Sequence, residues 1–135
     1  MYKLRHILII DDDKINNLFS QIILEDADAG ELVSICQSVP EALDFLRNIS
    51  LSNDAAFPDL ILLDISMPTF DGFDFLERYY TMGYHEQYKT HISMFTSSQD
   101  PEHEIRAQKY GAVVGFIRKP LSIPSLNNLL ALQAS

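Results

Sequence analysis

The chain has 135 residues, of which 47% are hydrophobic and 21% charged, and its formal net charge at pH 7 is -9. This length suits one domain with one core, and the composition is that of a globular protein, neither disordered nor membrane-embedded. The acidic charge argues against nucleic-acid binding and against anionic membranes, because the ten Lys and Arg residues form no basic patch. The only cysteine, Cys36, cannot form an intramolecular disulfide, so we expect it in the core of a cytoplasmic protein.

The first half of the chain predicts two strands and two helices. The segment His6 to Ile10 is continuously apolar, as buried strands are, and it ends after too few residues to be a signal peptide. A helix from Lys14 to about Glu25 follows. Glu31 to Cys36 predicts a second strand, Val39 to Asn48 a second helix, and the polar segment Ile49 to Pro58 a surface loop. The apolar residues of the first helix recur at helical spacing and predict its packing face: Ile15, Leu18, Phe19, Ile22 and Ile23.

The second half predicts three more strands and three more helices. Asp59 to Asp64 is the third strand, and a helix with Phe73, Leu76 and Tyr80 on its apolar face ends near Gly83. The fourth strand, His91 to Thr96, precedes a helix that starts at Asp100-Pro101 and stops at Gly111. We expect this helix to be loosely held, because its only apolar residues to bury are Ile105, Ala107 and Tyr110.

A fifth strand and a last helix complete the alternation. The strand is Ala112 to Ile117, and the helix starts at Ser122 with an apolar stripe of Ile123, Leu126, Leu129 and Leu130. Since the strands show no polar alternation, the pattern predicts a doubly wound α/β domain with a five-stranded parallel sheet and helices on both faces. We expect one domain over residues 1–135, with a core from about 4 to 133.

Polar side chains stand where several predicted strands end. Asp11 and Asp12 follow the first strand, Asp64 ends the third, Thr96 ends the fourth and Lys119 follows the fifth. The carboxyl ends of parallel strands share one edge of the sheet, so we expect these groups to converge. Three carboxylates about 4 Å apart repel by roughly 4 kcal/mol per pair at an effective dielectric constant near 20. A positive group must therefore offset them.

Lys119 and a bound divalent cation are the two candidates for that positive group. Hard oxygen ligands without a nearby His or Cys favour Mg²⁺, or a similar ion such as Mn²⁺, over zinc. A carboxylate nucleophile beside a hydroxyl, a lysine and Mg²⁺ suits phosphoryl transfer onto the carboxylate, which gives an aspartyl phosphate.

Four segments, ILIIDDD, DLILLDISMPTFDG, SMFTSS and GFIRKP, resemble the receiver domains of two-component response regulators, and the match covers almost the whole chain. The resemblance implies the flavodoxin-like strand order 2-1-3-4-5. It also implies a phosphoacceptor that takes a phosphoryl group from the phosphohistidine of a sensor kinase or phosphotransfer protein and then changes its binding to other proteins. Such a protein phosphorylates and dephosphorylates itself and is not a turnover enzyme.

The resemblance also implies roles for individual residues. Asp64 is similar to the phosphoacceptor and also to a metal ligand, Asp12 to a direct Mg²⁺ ligand, and Asp11 to the acidic residue that often acts through water. The backbone carbonyl of Ser66 matches a further metal ligand. The switch and phosphate-pairing positions match these residues: Thr96 as the switch hydroxyl, Phe116 as the aromatic switch, and Lys119 as the lysine, with a cis Lys119-Pro120 bond.

The short C-terminal segment resembles that of stand-alone, chemotaxis-like receivers. Only Leu121 to Ser135 follow the lysine motif, so we expect no output domain. Output would then occur by contact with an unidentified protein, and the domain would be a monomer or a weak, phosphorylation-dependent dimer.

Three other interpretations compete with a receiver. A phosphatase of the haloacid dehalogenase type also uses an Asp nucleophile and Mg²⁺, but it requires a second Asp where this chain has Ser66. A binding module that has lost phosphorylation is a second possibility, although every residue that the chemistry needs is present. A flavin-binding protein would share the fold, yet the chain has no convincing phosphate-cradling loop.

Overall fold

The computed structural model describes residues 3–97 and 99–134, in which the chain forms one five-stranded parallel sheet and six α-helices. The neighbouring strands follow the order β2-β1-β3-β4-β5, which confirms the predicted fold and strand order. Residues 1, 2 and 135, at the ends of the predicted domain, lie outside the described residues, as does Ser98. The strands are β1 Leu4–Ile10, β2 Gly30–Cys36, β3 Leu60–Leu63, β4 His91–Thr96 and β5 Val113–Arg118. The helices are α1 Lys14–Asp26, α2 Val39–Ser52, α3 Gly72–Thr81, α4 Tyr84–Gln87, α5 Pro101–Ala107 and α6 Ile123–Ala134.

Two hydrophobic clusters lie on opposite faces of the sheet. Alternate residues of one strand serve different clusters, so that Leu8 and Ile10 of β1 contact one and Ile7 and Ile9 the other. The first cluster includes residues of α2 to α5, and the second includes residues of α1 and α6. The sheet is therefore covered on both faces, as its continuously apolar strands predict.

The predicted packing face of α1 is wrong for four of its five residues; only Ile23 packs, half-buried, against the second cluster. Ile15 is 83% exposed and Leu18 61%, and Phe19 and Ile22 are also exposed. The buried residues of this helix are Asn17, Ser20 and Leu24.

A hydrogen bond to the end of β1 accompanies this orientation. The side-chain amide of Asn17 donates to the backbone carbonyl of Asp11 at 2.8 Å and satisfies that buried acceptor. Ser20 and Leu24 lie three and seven residues further along, so they turn inward with Asn17 and leave the apolar stripe in solvent.

Several predicted boundaries also need correction. Helix α2 extends to Ser52 and a 3-10 turn follows over Asp54–Ala56, in place of most of the predicted loop. The hydroxyls of Ser50 and Ser52 bond to carbonyls of the preceding turn, which accommodates these polar residues in a helix. The polar connection before β4 contains the short helix α4, which is too brief to show a period, and α5 ends at Ala107, short of Gly111.

The burials predicted in α5, α6 and β2 have different outcomes. Ile105 of α5 and Ile123 of α6 are exposed, contrary to prediction, whereas Leu126, Leu129 and Leu130 are buried as expected. Cys36 is a buried free thiol, and burial together with the charge of Glu41 raises its pKa to about 12. This cysteine fills the core, as predicted.

None of the described helices combines the length and the apolar character that a membrane span requires.

The orientation of α1 can be tested by substitution. Ile15→Ser should change the free energy of unfolding by less than about 0.5 kcal/mol, because the side chain is already in water. Leu24→Ala, on the buried face of the same helix, should cost about 2–5 kcal/mol. Urea denaturation followed by circular dichroism measures both, and a loss above 2 kcal/mol for Ile15→Ser would contradict this orientation.

Candidate functional site: an acidic edge of the sheet

Three carboxylates meet at the carboxyl edge of the sheet. Asp11 and Asp64 directly follow β1 and β3, whose last residues, Ile10 and Leu63, are paired across the sheet. One carboxylate oxygen from each of Asp11, Asp12 and Asp64 lies within 4.8 Å of the others. Asp11 and Asp64 are buried, whereas Asp12 is exposed and leaves the cluster open to solvent. The structure thus brings together the three acidic residues predicted from the sequence.

Lys119 supplies a positive charge to this cluster. Its Nζ lies 2.6 Å from Asp11 Oδ2 and 3.3 Å from Asp64 Oδ1. The backbone N–H of Lys119 donates to the carbonyl of Thr96, which ties the end of β5 to the end of β4. The Lys119-Pro120 bond is cis, as the resemblance implied. Burial alone would lower the pKa of Lys119, but the hydrogen bond and charge of Asp11, helped by Asp64, hold that pKa above its usual value.

The negative charges of the acidic cluster are not fully compensated. Burial, and then the charge of Asp11, raise the pKa of Asp64 to about 6, although Lys119 and a backbone hydrogen bond from Ser66 both act in the opposite direction. One lysine therefore leaves the Asp64 carboxylate incompletely compensated. A divalent cation between the carboxylates would complete the compensation, and an all-oxygen ligand set of this kind fits Mg²⁺.

The loop after Asp64 packs closely against the strand. Asp71 caps α3 through a capping box with Asp74, and the N–H of Gly72 donates to the carbonyl of Ile65. A Cβ atom on Gly72 would lie 2.5 Å from the backbone oxygen of Asp64, so only glycine fits at this approach. The start of α3 thereby fixes the backbone that carries Asp64.

Sequence reasoning missed two asparagines at this edge. Asn17 holds the backbone of Asp11, as described above, and Asn16 Nδ2 donates to Asp11 Oδ2 at 2.9 Å. Asp13, predicted as the cap of α1, does cap it by accepting from the N–H groups of Ile15 and Asn16. The sequence feature that could have indicated this role is the pair of amide side chains, Asn16 and Asn17, about one helical turn after the acidic run. From there they can reach back to the end of the strand.

The predicted switch residues lie beside one cavity. Thr96 is buried at the end of β4 and Phe116 is half-buried on β5. Both line a cavity of about 360 Å³ that also borders the start of α5. Ser66 is exposed in the loop after β3, and the role of its carbonyl as a metal ligand stays a prediction.

The comparisons with known proteins agree with this arrangement. The model of the response regulator receiver domain matches residues 7–131, so the chain belongs to that family. A two-component response regulator from Cytophaga hutchinsonii has a similar structure, with 26% identity, 98% coverage of both chains and a TM-score of 0.89. The chemotaxis protein CheY4 of Vibrio cholerae is 25% identical, with a TM-score of 0.72 and coverage of 96% of this chain and 98% of its own.

Two curated relatives differ in how much of their length is matched. The two-component response regulator ORR41 of rice is 29% identical over 130 residues, which cover 96% of this chain and 94% of the relative. A protein-glutamate methylesterase/protein-glutamine glutaminase from Methanospirillum hungatei is 32% identical over 123 residues, or 91% of this chain. This chain matches only 33% of that methylesterase. The shared part is the receiver, a phosphoacceptor signalling domain, and in this chain its acidic cluster could hold a metal ion.

The raised pKa of Asp64 predicts a stability effect. An acid with a raised folded-state pKa contributes stability below its unfolded pKa of about 4, and that stability is lost as the pH rises through about 6. In buffer that contains a chelator to remove divalent cations, Asp64→Asn should therefore raise the free energy of unfolding by about 1–3 kcal/mol at pH 7.5. The gain should be smaller at pH 4.5. Urea denaturation at the two pH values tests this.

Asp44→Asn is the matched control, because Asp44 is an exposed aspartate on α2. It should leave the free energy of unfolding nearly unchanged at both pH values. An Asp64→Asn protein that is less stable than the unsubstituted one at pH 7.5 would contradict the electrostatic account.

Proposed function

We propose that this receiver accepts a phosphoryl group on Asp64 from the phosphohistidine of a sensor histidine kinase or phosphotransfer protein. The observation that carries the proposal is the position of Asp64, which is buried at the sheet edge between two carboxylates and Lys119. Transfer to Asp64 adds a charge of about -1.5 to -2 at this point.

The transfer forms one bond and breaks one. A carboxylate oxygen of Asp64 attacks phosphorus and forms the O–P bond, while the P–N bond to the donor imidazole breaks and its electron pair stays on the leaving nitrogen. Lys119 is already 3.3 Å from Asp64 Oδ1, so its Nζ can pair with a phosphoryl oxygen after a small shift. Asp11, Asp12 and Asp64 would hold Mg²⁺, with the Ser66 carbonyl as a further ligand. The bound ion would neutralise charge on the phosphoryl oxygens and orient them for attack.

The phosphorylated state would act on protein binding through Thr96 and Phe116. The cavity beside these residues leaves room for movement, so Thr96 can turn toward a phosphoryl group while Phe116 moves inward. The affected surface is formed by α5, β5 and α6. Helix α5 buries only Ala107, which suits an element that moves at low cost. Shifting the ratio of the two conformations of such a switch from 1:99 to 99:1 requires about 5.5 kcal/mol of differential stabilisation. Several charge-assisted contacts to one phosphoryl group can supply that free energy.

The phosphodonor also needs a surface on which to dock. The exposed stripe on α1 lies beside the acidic cluster, and Ile15, Asn16 and Phe19 line a groove of about 370 Å³ with Asp13 and Pro120. An exposed apolar stripe at helical spacing suits packing against helices of a partner. We include in the proposal that the donor presents a helical surface to α1, with its phosphohistidine over Asp64. A cytoplasmic location is also part of the proposal.

The phosphoryl acceptor can be identified directly. Incubation with Mg²⁺ and a small acyl phosphate should add one phosphate to the unsubstituted protein, visible by intact mass, and none to Asp64→Asn, which lacks the nucleophile. Asp44→Asn, which leaves the edge of the sheet intact, should be phosphorylated normally.

Two results would refute the transfer proposal. One is a folded, unsubstituted protein that forms no adduct with competent donors. The other is an adduct that persists in Asp64→Asn. Rapid turnover of unrelated phosphate esters would instead favour a phosphatase of the haloacid dehalogenase type.

The proposed docking surface predicts that substitutions on α1 slow transfer from a donor protein but not from a small acyl phosphate. The double substitution Ile15→Ser and Phe19→Ser should slow transfer from a phosphorylated donor protein at least tenfold, because it removes apolar contact area. The rate with a small acyl phosphate should change less than twofold, because that donor needs no docking surface. Leu51→Ser, which alters an exposed apolar residue of α2, is the control and should affect neither rate. Equal slowing with both donors would place the defect in the acidic site and exclude docking on α1.

A further inference from the structure

The side chain of Asn16 contacts the acidic cluster but takes no part in the transfer described above. Its Nδ2 donates to Asp11 Oδ2 at 2.9 Å, and Lys119 Nζ lies 2.6 Å from the same oxygen. The other oxygen, Oδ1, accepts the backbone N–H of Asp13 at 3.0 Å. Three donors therefore surround a carboxylate that is completely buried.

A purely local role does not account for the direction of this side chain. The backbone N–H of Asn16 is already satisfied by the Asp13 cap at 3.1 Å, so the start of the helix does not need the amide. The adjacent Ile15 is 83% exposed, so this turn borders solvent, yet the amide of Asn16 turns inward to a buried anion.

The position of Lys119 shows what that amide can do. Lys119 Nζ is closer to Asp11 than to Asp64, at 2.6 Å against 3.3 Å. To pair with a phosphoryl group on Asp64, Lys119 must loosen its contact with Asp11. A buried carboxylate that loses a donor is strongly disfavoured unless other donors remain. Asn16 and the Asp13 N–H are the donors that remain.

We propose that Asn16 is a positioning residue whose amide holds the Asp11 carboxylate while Lys119 passes from Asp11 to the phosphoryl group on Asp64. The inference rests on the proposed transfer to Asp64. Without the amide, Asp11 retains Lys119 more strongly, so the lysine is less available to the incoming phosphoryl group.

The first test measures the rate of phosphorylation. With Mg²⁺ and a small acyl phosphate, Asn16→Ala should be phosphorylated about tenfold more slowly than the unsubstituted protein, because Asp11 then retains Lys119 more strongly and a hydrogen bond to a charged group is typically worth at least such a factor. Asn16→Leu, which keeps a side chain of similar size but has no donor and adds no charge, should also be slow, and it guards against a folding defect in the alanine variant. Gln21→Ala removes a side-chain amide elsewhere on α1 and should leave the rate unchanged.

The second test asks whether Asn16 acts through Lys119. In a Lys119→Met protein there is no lysine to release, so adding Asn16→Ala should slow the remaining reaction less than twofold. Mg²⁺ affinity should also stay within about threefold in Asn16→Ala, as measured by NMR from the amide signal of Asp13. Fully additive slowing, or a tenfold weaker affinity for Mg²⁺, would overturn the inference, because Asn16 would then act independently of the lysine.

The outcomes separate this inference from the proposed function. If the unsubstituted protein forms its adduct on Asp64 and both Asn16 variants react at the same rate as that protein, the role of Asn16 is refuted and the transfer proposal stands. If the unsubstituted protein forms no adduct, the transfer proposal fails, and the role of Asn16 fails with it.

Discussion

The contact of Lys119 with Asp11 and Asp64 is the interaction on which the acidic edge depends. Buried carboxylates so close together repel strongly, and one lysine is the cation that the described residues place between two of them. The compensation is incomplete, as the raised pKa of Asp64 shows. A site of this kind has affinity for further positive charge, and in the proposed phosphoryl transfer the same lysine would gain a new partner. The electrostatic imbalance is therefore what suits the edge to that transfer.

The surrounding structure holds these charges in place. Strand pairing sets Asp11 beside Asp64, Gly72 allows the start of α3 to approach the backbone of Asp64, and Asn17 ties α1 to the end of β1. The last contact explains an otherwise unfavourable arrangement, in which α1 buries polar side chains and exposes an apolar stripe. Positioning of Asp11 and exposure of the stripe that we propose as a docking surface thus go together, since the rotation of α1 that satisfies Asp11 turns Ile15 and Phe19 outward.

Much of this could be predicted from the sequence, and the exceptions share a cause. Continuous apolar strands predict a parallel sheet. The rule that the carboxyl ends of parallel strands share an edge predicts that Asp11, Asp64 and Lys119 lie near one another, although it gives no distances between them. The strand order came from a family resemblance, because periodicity cannot rank strands. The packing face of α1 could not be read from its apolar spacing, since the helix instead turns Asn17 to the end of β1 and Leu24 and Ile23 to the core. Asn16 was missed for a related reason: a periodicity argument treats polar residues as solvent-facing, whereas this one serves a buried anion.

The most direct test of the central claim is a crystal structure grown with Mn²⁺ and a phosphoryl mimic such as beryllium fluoride, with the metal located by anomalous scattering. We predict one anomalous peak within ligand distance of Asp12 and Asp64, the mimic attached to an Asp64 oxygen, and Lys119 Nζ closer to the mimic than to Asp11. A mimic bound elsewhere, or an acidic cluster without metal while Lys119 remains on Asp11, would contradict the account.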